Sequence, residues 1–475
     1  MKKIKYIFLV SATFLIAGCS NFLDKAPILD QSTEITMSAF SGLNKAVAGA
    51  YSPLQSSSWY GGSFILDAEM RSGNGRRDKE GEFQSGRYVN TYTWNYSADN
   101  TSNLWRNAYY VISAVNNVLA NLEGKTSSSV SEKDINNLKA ECLFIRALCH
   151  LDLVLIYGQP YMYQPESLGV PVVLKTDPEG KPARNTVKEV YTQVLEDLLT
   201  AEKTMDPAFV RAGDDPKAYV SLYAIQALLS RVYLYMGNWQ EAANYATKVI
   251  DSKEFTLWTT SEYPLVWNKE KADAAGEVIF EIYGKKTNEY YGSWEDISYM
   301  TNPAGYADCA LSKDLTSLYS QNDVRYQIFR TDKENKSNNL WTGKYLGKGD
   351  GTPDANNIIV LRLSEMYLNR AEALVNGAKI AGVTPISDLN TIRSNRNADN
   401  ISSVGRGDIE LDRRLELAYE GHYLFDLARW GKPVKRTDYT EVKNKDVDFP
   451  SYLWALPIPK GELDINPNLK QNSNY

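Results

Sequence analysis

Histidine is nearly missing from this chain, 2 residues in 475. His150 and His422 stand far apart, and no HExxH or CxxC spacing occurs, so the usual ligand sets of catalytic and structural zinc are absent. His150 falls inside an apolar helical stretch and reads as a satisfied core residue. There is no GxSxG nucleophile elbow and no phosphate loop of Walker type. "GKGDG" at 347–351 lacks calcium-loop ligand spacing and reads as a turn. Cysteine is also scarce, 4 in all. Cys142 and Cys149 sit on one predicted helix, separated by roughly 10 Å of rise, too far for a disulfide. With Cys309 they read as small buried apolar side chains. These absences argue against a common enzyme and leave no metal or cofactor to expect.

A long hydrophobic run is lacking too. The apolar stretch that begins at Tyr6 covers about thirteen residues, against roughly 20 for a spanning helix. Preceded by Lys2, Lys3 and Lys5, and followed by small residues, it reads as a signal peptide over residues 1–18. "LIAGCS" resembles the lipobox cut by lipoprotein signal peptidase, which would make Cys19 the lipidated first residue of the mature chain. Several acyl chains on one residue anchor far more firmly than one, so the expected state is tethered to a membrane without crossing it. Removing residues 1–18 takes away three lysines and no acid, moving the formal charge from −6 to −9. An excess of acid on that scale makes nucleic acid a poor partner.

What is present is helical periodicity and an abundance of polar-tipped rings. Trp105, Tyr109, Ile112, Val115, Leu119 and Leu122 recur at spacings of three and four, and a second helix runs through "INNLKAECLFIRALCHLDLVLIYG" to a stop at Gly158. A third opens near Asn185 or Thr186. In "AYVSLYAIQALLSRVYLYMGNWQEAANYATKVID", Ser230, Tyr233, Gly237, Trp239, Ala242 and Ala246 follow the small and large alternation of a tetratricopeptide repeat. "LRLSEMYLNRAEALVNG" and "PISDLNTIRSNR" read as a more degenerate second unit. Repeats would occupy about 105–251 and 358–430, with loop-rich segments at about 40–104 and 252–357, all within one domain, 19–475. Loops of that length usually carry function.

Taken in order, "CSNFLDKAP", "LWRNAYYVISAVNNVLANL", "TVKEVYTQVLEDL", "RLSEMYLNRAEAL", "RRLELAYEGHYLFDLARWGK" and the terminal "LWALPIPKGELDINPNLKQNSNY" resemble the SusD-like, or RagB-like, family of outer-membrane nutrient-binding lipoproteins. Asn474 stands where that family usually has glycine, and asparagine tolerates the same left-handed backbone. The resemblance implies a mainly α fold of four stacked tetratricopeptide-like helix pairs with a variable, loop-rich binding face. It implies no catalysis, and a place as a surface-exposed lid on a SusC-like TonB-dependent transporter, delivering captured glycan or, in RagB-type branches, peptide.

Tyrosine and tryptophan, 32 and 10, outnumber the 13 phenylalanines, which favours interfaces over dry cores. In "NTYTWNYSADN" the rings of Tyr92, Trp94 and Tyr96 alternate, so an extended segment would put them on one face, roughly 6 to 7 Å apart. That is either a strand packed into a core or a flat surface for sugar rings. On the second reading Trp94 and Tyr96 are platforms and Asn95, Asp99 and Asn100 bond hydroxyls. "NEYYGSWEDISYM" supplies Tyr290, Tyr291 and Trp294 as a second wall, and Arg71 and Asn74 offer polar contacts from what reads as a charged loop. The charges of "RRLELAYEGHYLFDLARWGK" interleave at helical spacing and read as structural ion pairs. A helical-barrel glycosidase remains the enzymatic alternative, with Asp67 and Glu69, or Glu295 and Asp296, as its two carboxylates.

Overall fold

The computed structural model describes residues 37–79, 85–99, 103–213, 215–267, 276–284, 296–331, 337–346 and 356–475. Cys19, Asn100, Tyr290, Tyr291, Trp294, Glu295 and the 347–351 turn lie outside those residues. The helical body consists of α1 (Phe40–Tyr51), α2 (Ser63–Ser72), the single turn α3 (Val89–Tyr92), α4 (Leu104–Ala120), α5 (Glu132–Tyr157), α6 (Val187–Thr204), α7 (Leu222–Tyr235) and α8 (Trp239–Asp251). After the short α9 (Ile297–Met300) come α10 (Leu363–Val375), α11 (Pro385–Asn395), α12 (Arg406–Glu416) and α13 (Tyr423–Trp430). No helix among the described residues is long and apolar enough to cross a membrane.

Neighbouring helices stack in sequence. α5 packs on α4 and α6, α6 on α7, α7 on α8, α8 on α10, and α10 on α11 and α12. Local chemistry sets their ends. Ser131 with Asp134, and Thr186 with Glu189, form capping boxes that satisfy free N–H groups at the starts of α5 and α6. Gly158 closes α5. Between α7 and α8, the Gly237 N–H bonds Leu234 O and the Asn238 N–H bonds Tyr233 O, with Gly237 at φ +73°. This Schellman turn reverses the chain. Ser230 and Ala242, both fully buried, let the two helices approach until the Ser230 hydroxyl donates to Ala242 O at 2.9 Å. Asn474 does take the left-handed conformation, φ +69°.

The body is pinned internally by charge. The three guanidinium groups of Arg325, Arg362 and Arg396 converge on Glu416 at 3.0, 2.7 and 2.8 Å. Glu277 pairs with Arg362 and Arg396, and Glu420 with Arg362 and Lys344. Burial alone would raise the Glu416 carboxyl; the charges of Arg396, Arg362 and Arg325 outweigh it and hold the group well below the carboxylate range. Arg413 and Arg429 share Asp426, and Arg429 also meets Glu372. The interleaved charges of 413–432 are therefore structural pairs, except Arg414, which bonds the Asn74 amide and stacks on Tyr423. Cys142, Cys149 and Cys309 are free and buried. His150 donates from Nδ1 to Arg146 O and accepts the Val173 N–H at Nε2. Burial, helped by Arg146, lowers its pKa to about 3, so it stays neutral.

Strands fill the gaps between helices. β1 (Gly75–Arg77), β3 (Cys309–Leu311), β5 (Leu340–Trp341) and β4 (Arg330–Thr331) form one antiparallel sheet in the order β1-β3-β5-β4; β2 (Val278–Ile282) pairs with β6 (Ile358–Arg362) in a second. The segment read as loop-rich at 40–104 instead contains α1 and α2. Arg71 ends a helix and Asn74 sits in the turn into β1, so neither belongs to a solvated loop.

Candidate functional site

The alternating rings of 90–96 are not on a strand. α3 ends at Tyr92, the Trp94 N–H bonds Thr91 O, the Asn95 N–H bonds Asn90 O, and Trp94 itself takes φ +52°. This is a second Schellman turn, with tryptophan where glycine is usual. It swings Tyr92 and Trp94 inward. Trp94 is 1% exposed, its indole N–H donates to Arg71 O at 3.3 Å, and its ring meets Trp454 edge-on at 5.4 Å. The Arg71 guanidinium lies 4.4 Å from the Trp94 ring and 5.2 Å from Tyr96, and donates to Leu453 O and Trp454 O.

Three of the residues expected to meet sugar are thus brought together, but as a seam tying α2 and α3 to the C-terminal segment. Trp94 and Arg71 are both buried within this seam. The same holds for Asn74, which donates to Glu69 and accepts from Arg414, both at 2.8 Å. Tyr96 is half-buried with its hydroxyl donating to Thr91 O, and Asn95 is exposed. The carboxylate pair Asp67 and Glu69 fails on similar grounds. Glu69 is enclosed, bonded by Asn74 and the Gly421 N–H, and burial raises it to about 7; Asp67, raised by burial to about 6, accepts from Thr91. They do not face each other across an open cleft.

A different set of half-exposed rings lies over the β1-β3-β5-β4 sheet. α9 and the turn that follows carry Tyr299 and Tyr306, whose rings are 6.5 Å apart at 51°. Two backbone bonds fold this turn tightly, from the Tyr306 and Ala307 N–H groups to Tyr299 O. Beneath it, the Trp341 indole donates to Ala307 O at 3.0 Å and fixes the turn on the sheet. The Arg87 guanidinium stacks over Tyr306 at 4.3 Å. Ser85 bonds Asp308, which Arg77 and Arg87 also flank; burial raises the Asp308 carboxyl and these partners oppose it. On the other side, Arg77 pairs with Glu441 at 2.6 Å. Rings with polar tips, arginine forks and the Asn302 amide thus share one surface at the edge of the helical body.

Sequence reading missed Arg87, Tyr299 and Tyr306. The available signal was "SYMTNPAGY", two tyrosines separated by Asn-Pro and Gly, which is a turn holding two rings. Two small hollows also open between α5, α7 and α13, sharing Leu155, Tyr235 and Phe425. Neither touches any residue expected to bind sugar. Among the described residues no group of three His, Cys, Asp or Glu side chains could hold a metal ion.

Comparison with known proteins fixes the family. The model described as "Starch-binding associating with outer membrane" matches residues 21–234, and the SusD family model matches residues 333–475. A solved SusD superfamily protein of Bacteroides thetaiotaomicron is 30% identical, with a TM-score of 0.82 over 92% of this chain and 100% of that one. The chain belongs to the SusD family. Other SusD relatives are more distant: a SusD-like protein of Bacteroides ovatus is 24% identical over 92% of this chain and 84% of its own length. The starch-binding protein SusD of B. thetaiotaomicron is 22% identical over 82% of this chain and 81% of its own. The mainly helical, repeat-stacked architecture expected from the sequence is the fold of this superfamily.

Proposed function

We propose that this protein is a cell-surface lipoprotein that captures glycan and passes it to a partner transporter, with the Tyr299, Tyr306 and Arg87 surface as its contact face. The observation that carries this reading is the pair of half-open tyrosines held rigidly on the sheet with a guanidinium over one ring. The apolar C–H face of a pyranose lies flat on such rings while the surrounding amide and guanidinium groups bond its hydroxyls. Tyr290, Tyr291 and Trp294 precede α9 in sequence and are proposed as further contacts. The starch-binding name of a relative and of the matching family model supports a carbohydrate ligand.

Capture is proposed without catalysis, and the enclosure of Glu69 supports that reading. Glycan-array binding by the mature chain, followed by titration of Tyr299→Ala and Tyr306→Ala with the tightest oligosaccharide, tests the face. Each substitution is expected to weaken binding about 5- to 150-fold, as for truncated aromatic anchors elsewhere. Unchanged affinity in both variants would remove this face from the account, and cleavage products after prolonged incubation would restore the hydrolase. Lipidation at Cys19 is tested by Cys19→Ala, which should release the protein from the outer membrane. A TonB-dependent barrel should accompany a tagged chain in mild detergent; recovery of the chain alone, while other membrane complexes survive, counts against that partner.

A further inference from the structure

Arg330 lies on β4, at the end of the sheet, directly beneath the turn that bears the two tyrosines. Its Nη2 donates to Thr301 O at 2.9 Å, its Nε to Thr342 O at 3.2 Å, and Nη1 makes a long contact of 3.5 Å with the Asn302 amide oxygen. A guanidinium has five N–H donors, so two remain without an acceptor among the described residues. No carboxylate among the described residues pairs with it. Burial lowers its pKa to about 10 with no neighbouring charge acting on it, yet it remains a cation at neutral pH.

Other arginines without a carboxylate are covered in other ways. Arg71 is stacked on Trp94 and Tyr96, Arg436 on Tyr92 and Tyr439, and Arg414 on Tyr423. Arg184 spends its donors on four backbone carbonyls and the Asn472 amide. Among the described residues no ring lies over Arg330, and it sits at the Thr301–Asn302 corner of the proposed contact face, with Arg87 stacked on Tyr306 of the same turn. Taking a cation partly out of water without a counter-charge is costly, and an incoming anion would remove that cost while engaging the open side of the fork.

Building on the glycan-capture reading, we infer that the face selects acidic glycans, with Arg330 receiving a carboxylate or sulfate while the tyrosines carry the sugar rings. Uronates and sulfated sugars present the same anionic oxygens, and experiment separates them. A glycan array with uronate, sulfated and neutral members is read at low and high salt on the mature chain. Acidic members should be held at least about tenfold more tightly than neutral ones of matching backbone, a gap that narrows as salt rises, and the stronger acidic class identifies the anion. Absence of binding to every member overturns capture itself. Equal binding of neutral and acidic members overturns the inference and leaves capture standing.

Arg330→Gln then assigns the effect. It should lower affinity for the best acidic oligosaccharide about tenfold while neutral binding is unchanged, and Arg330→Lys should recover part of the loss. A folded Arg330→Gln variant with its acidic preference intact overturns the role of Arg330. If that variant does not fold, phenylglyoxal labelling of the unsubstituted protein replaces it. The acidic oligosaccharide should shield Arg330 from modification, and labelling at the same rate with and without it overturns the assignment.

Discussion

The two charged regions of this molecule are built on opposite rules. In the cluster around Glu416, three guanidinium groups meet carboxylates on several sides and water is excluded. At the sheet edge, Arg330 meets only carbonyls and an amide among the described residues, and Arg87 lies over a tyrosine ring and beside Asp308. A charge satisfied inside the fold fixes the fold and has nothing left to offer a ligand. A cation whose donors are only partly used retains capacity for one. The contrast separates residues that hold the tetratricopeptide-like body together from residues that can recognise something.

Breaking the paired region should have the largest consequence. Glu416→Gln strands buried arginines and should cost about 3 to 5 kcal/mol of stability, measured by urea unfolding. A loss below about 1 kcal/mol would mean that the cluster is not holding the body. The same region predicts acid sensitivity. The folded-state pKa of Glu416 is depressed, so its contribution is complete above the unfolded value near 4.5 and is lost as pH falls through the lower folded value.

Asp152 has the opposite sign. Burial raises it to about 7 from 3.8, against the Trp59 indole bond at 2.8 Å, so it carries a proton in the folded state that the unfolded chain has already released. Stability should therefore fall by up to about 4 kcal/mol between pH 4 and 7 on its account. Asp152→Asn should flatten that slope, and an unaltered unfolding profile from pH 4 to 8 would contradict it.

At the face the effects are expected in binding. Arg87→Ala should weaken glycan affinity by roughly 1 kcal/mol through loss of its stack on Tyr306 and of the guanidinium proposed to bond sugar hydroxyls. Smallest of all, Asn95→Ala should change affinity and stability by less than about 0.5 kcal/mol, since the side chain is exposed and away from such features. A large loss of binding at Asn95 would return the site to the 90–96 segment.

The two Schellman turns explain how far the sequence could be read. Gly237 announced its turn because glycine is the residue that a left-handed backbone favours, and the helix pair around it was legible from spacing alone. Trp94 occupies the equivalent position without any such signal, and its neighbours at 92 and 96 produce a period of two by coincidence with a helix end. The helical body was legible because its apolar stripes and caps are local. Arg71 and Asn74 were not, because what buries them, Trp454 and Arg414, lies more than three hundred residues away in the chain. The charges of 413–432 were legible as a set, though their partners Glu372, Arg362 and Arg396 were not. Tyr299 and Tyr306 meet only because a turn anchored by Trp341 brings them together.

The central claim is that recognition belongs to the Tyr306 turn, whereas the Trp94 seam belongs to the fold. Affinity for the tightest array glycan and thermal unfolding, measured together on Tyr306→Ala and Trp94→Ala, test it most directly. The account predicts that Tyr306→Ala loses roughly 1 to 3 kcal/mol of binding with nearly unchanged unfolding, and that Trp94→Ala loses about 3 to 5 kcal/mol of stability. A Trp94→Ala protein that unfolds normally but no longer binds glycan, beside a Tyr306→Ala protein that binds as before, would contradict it.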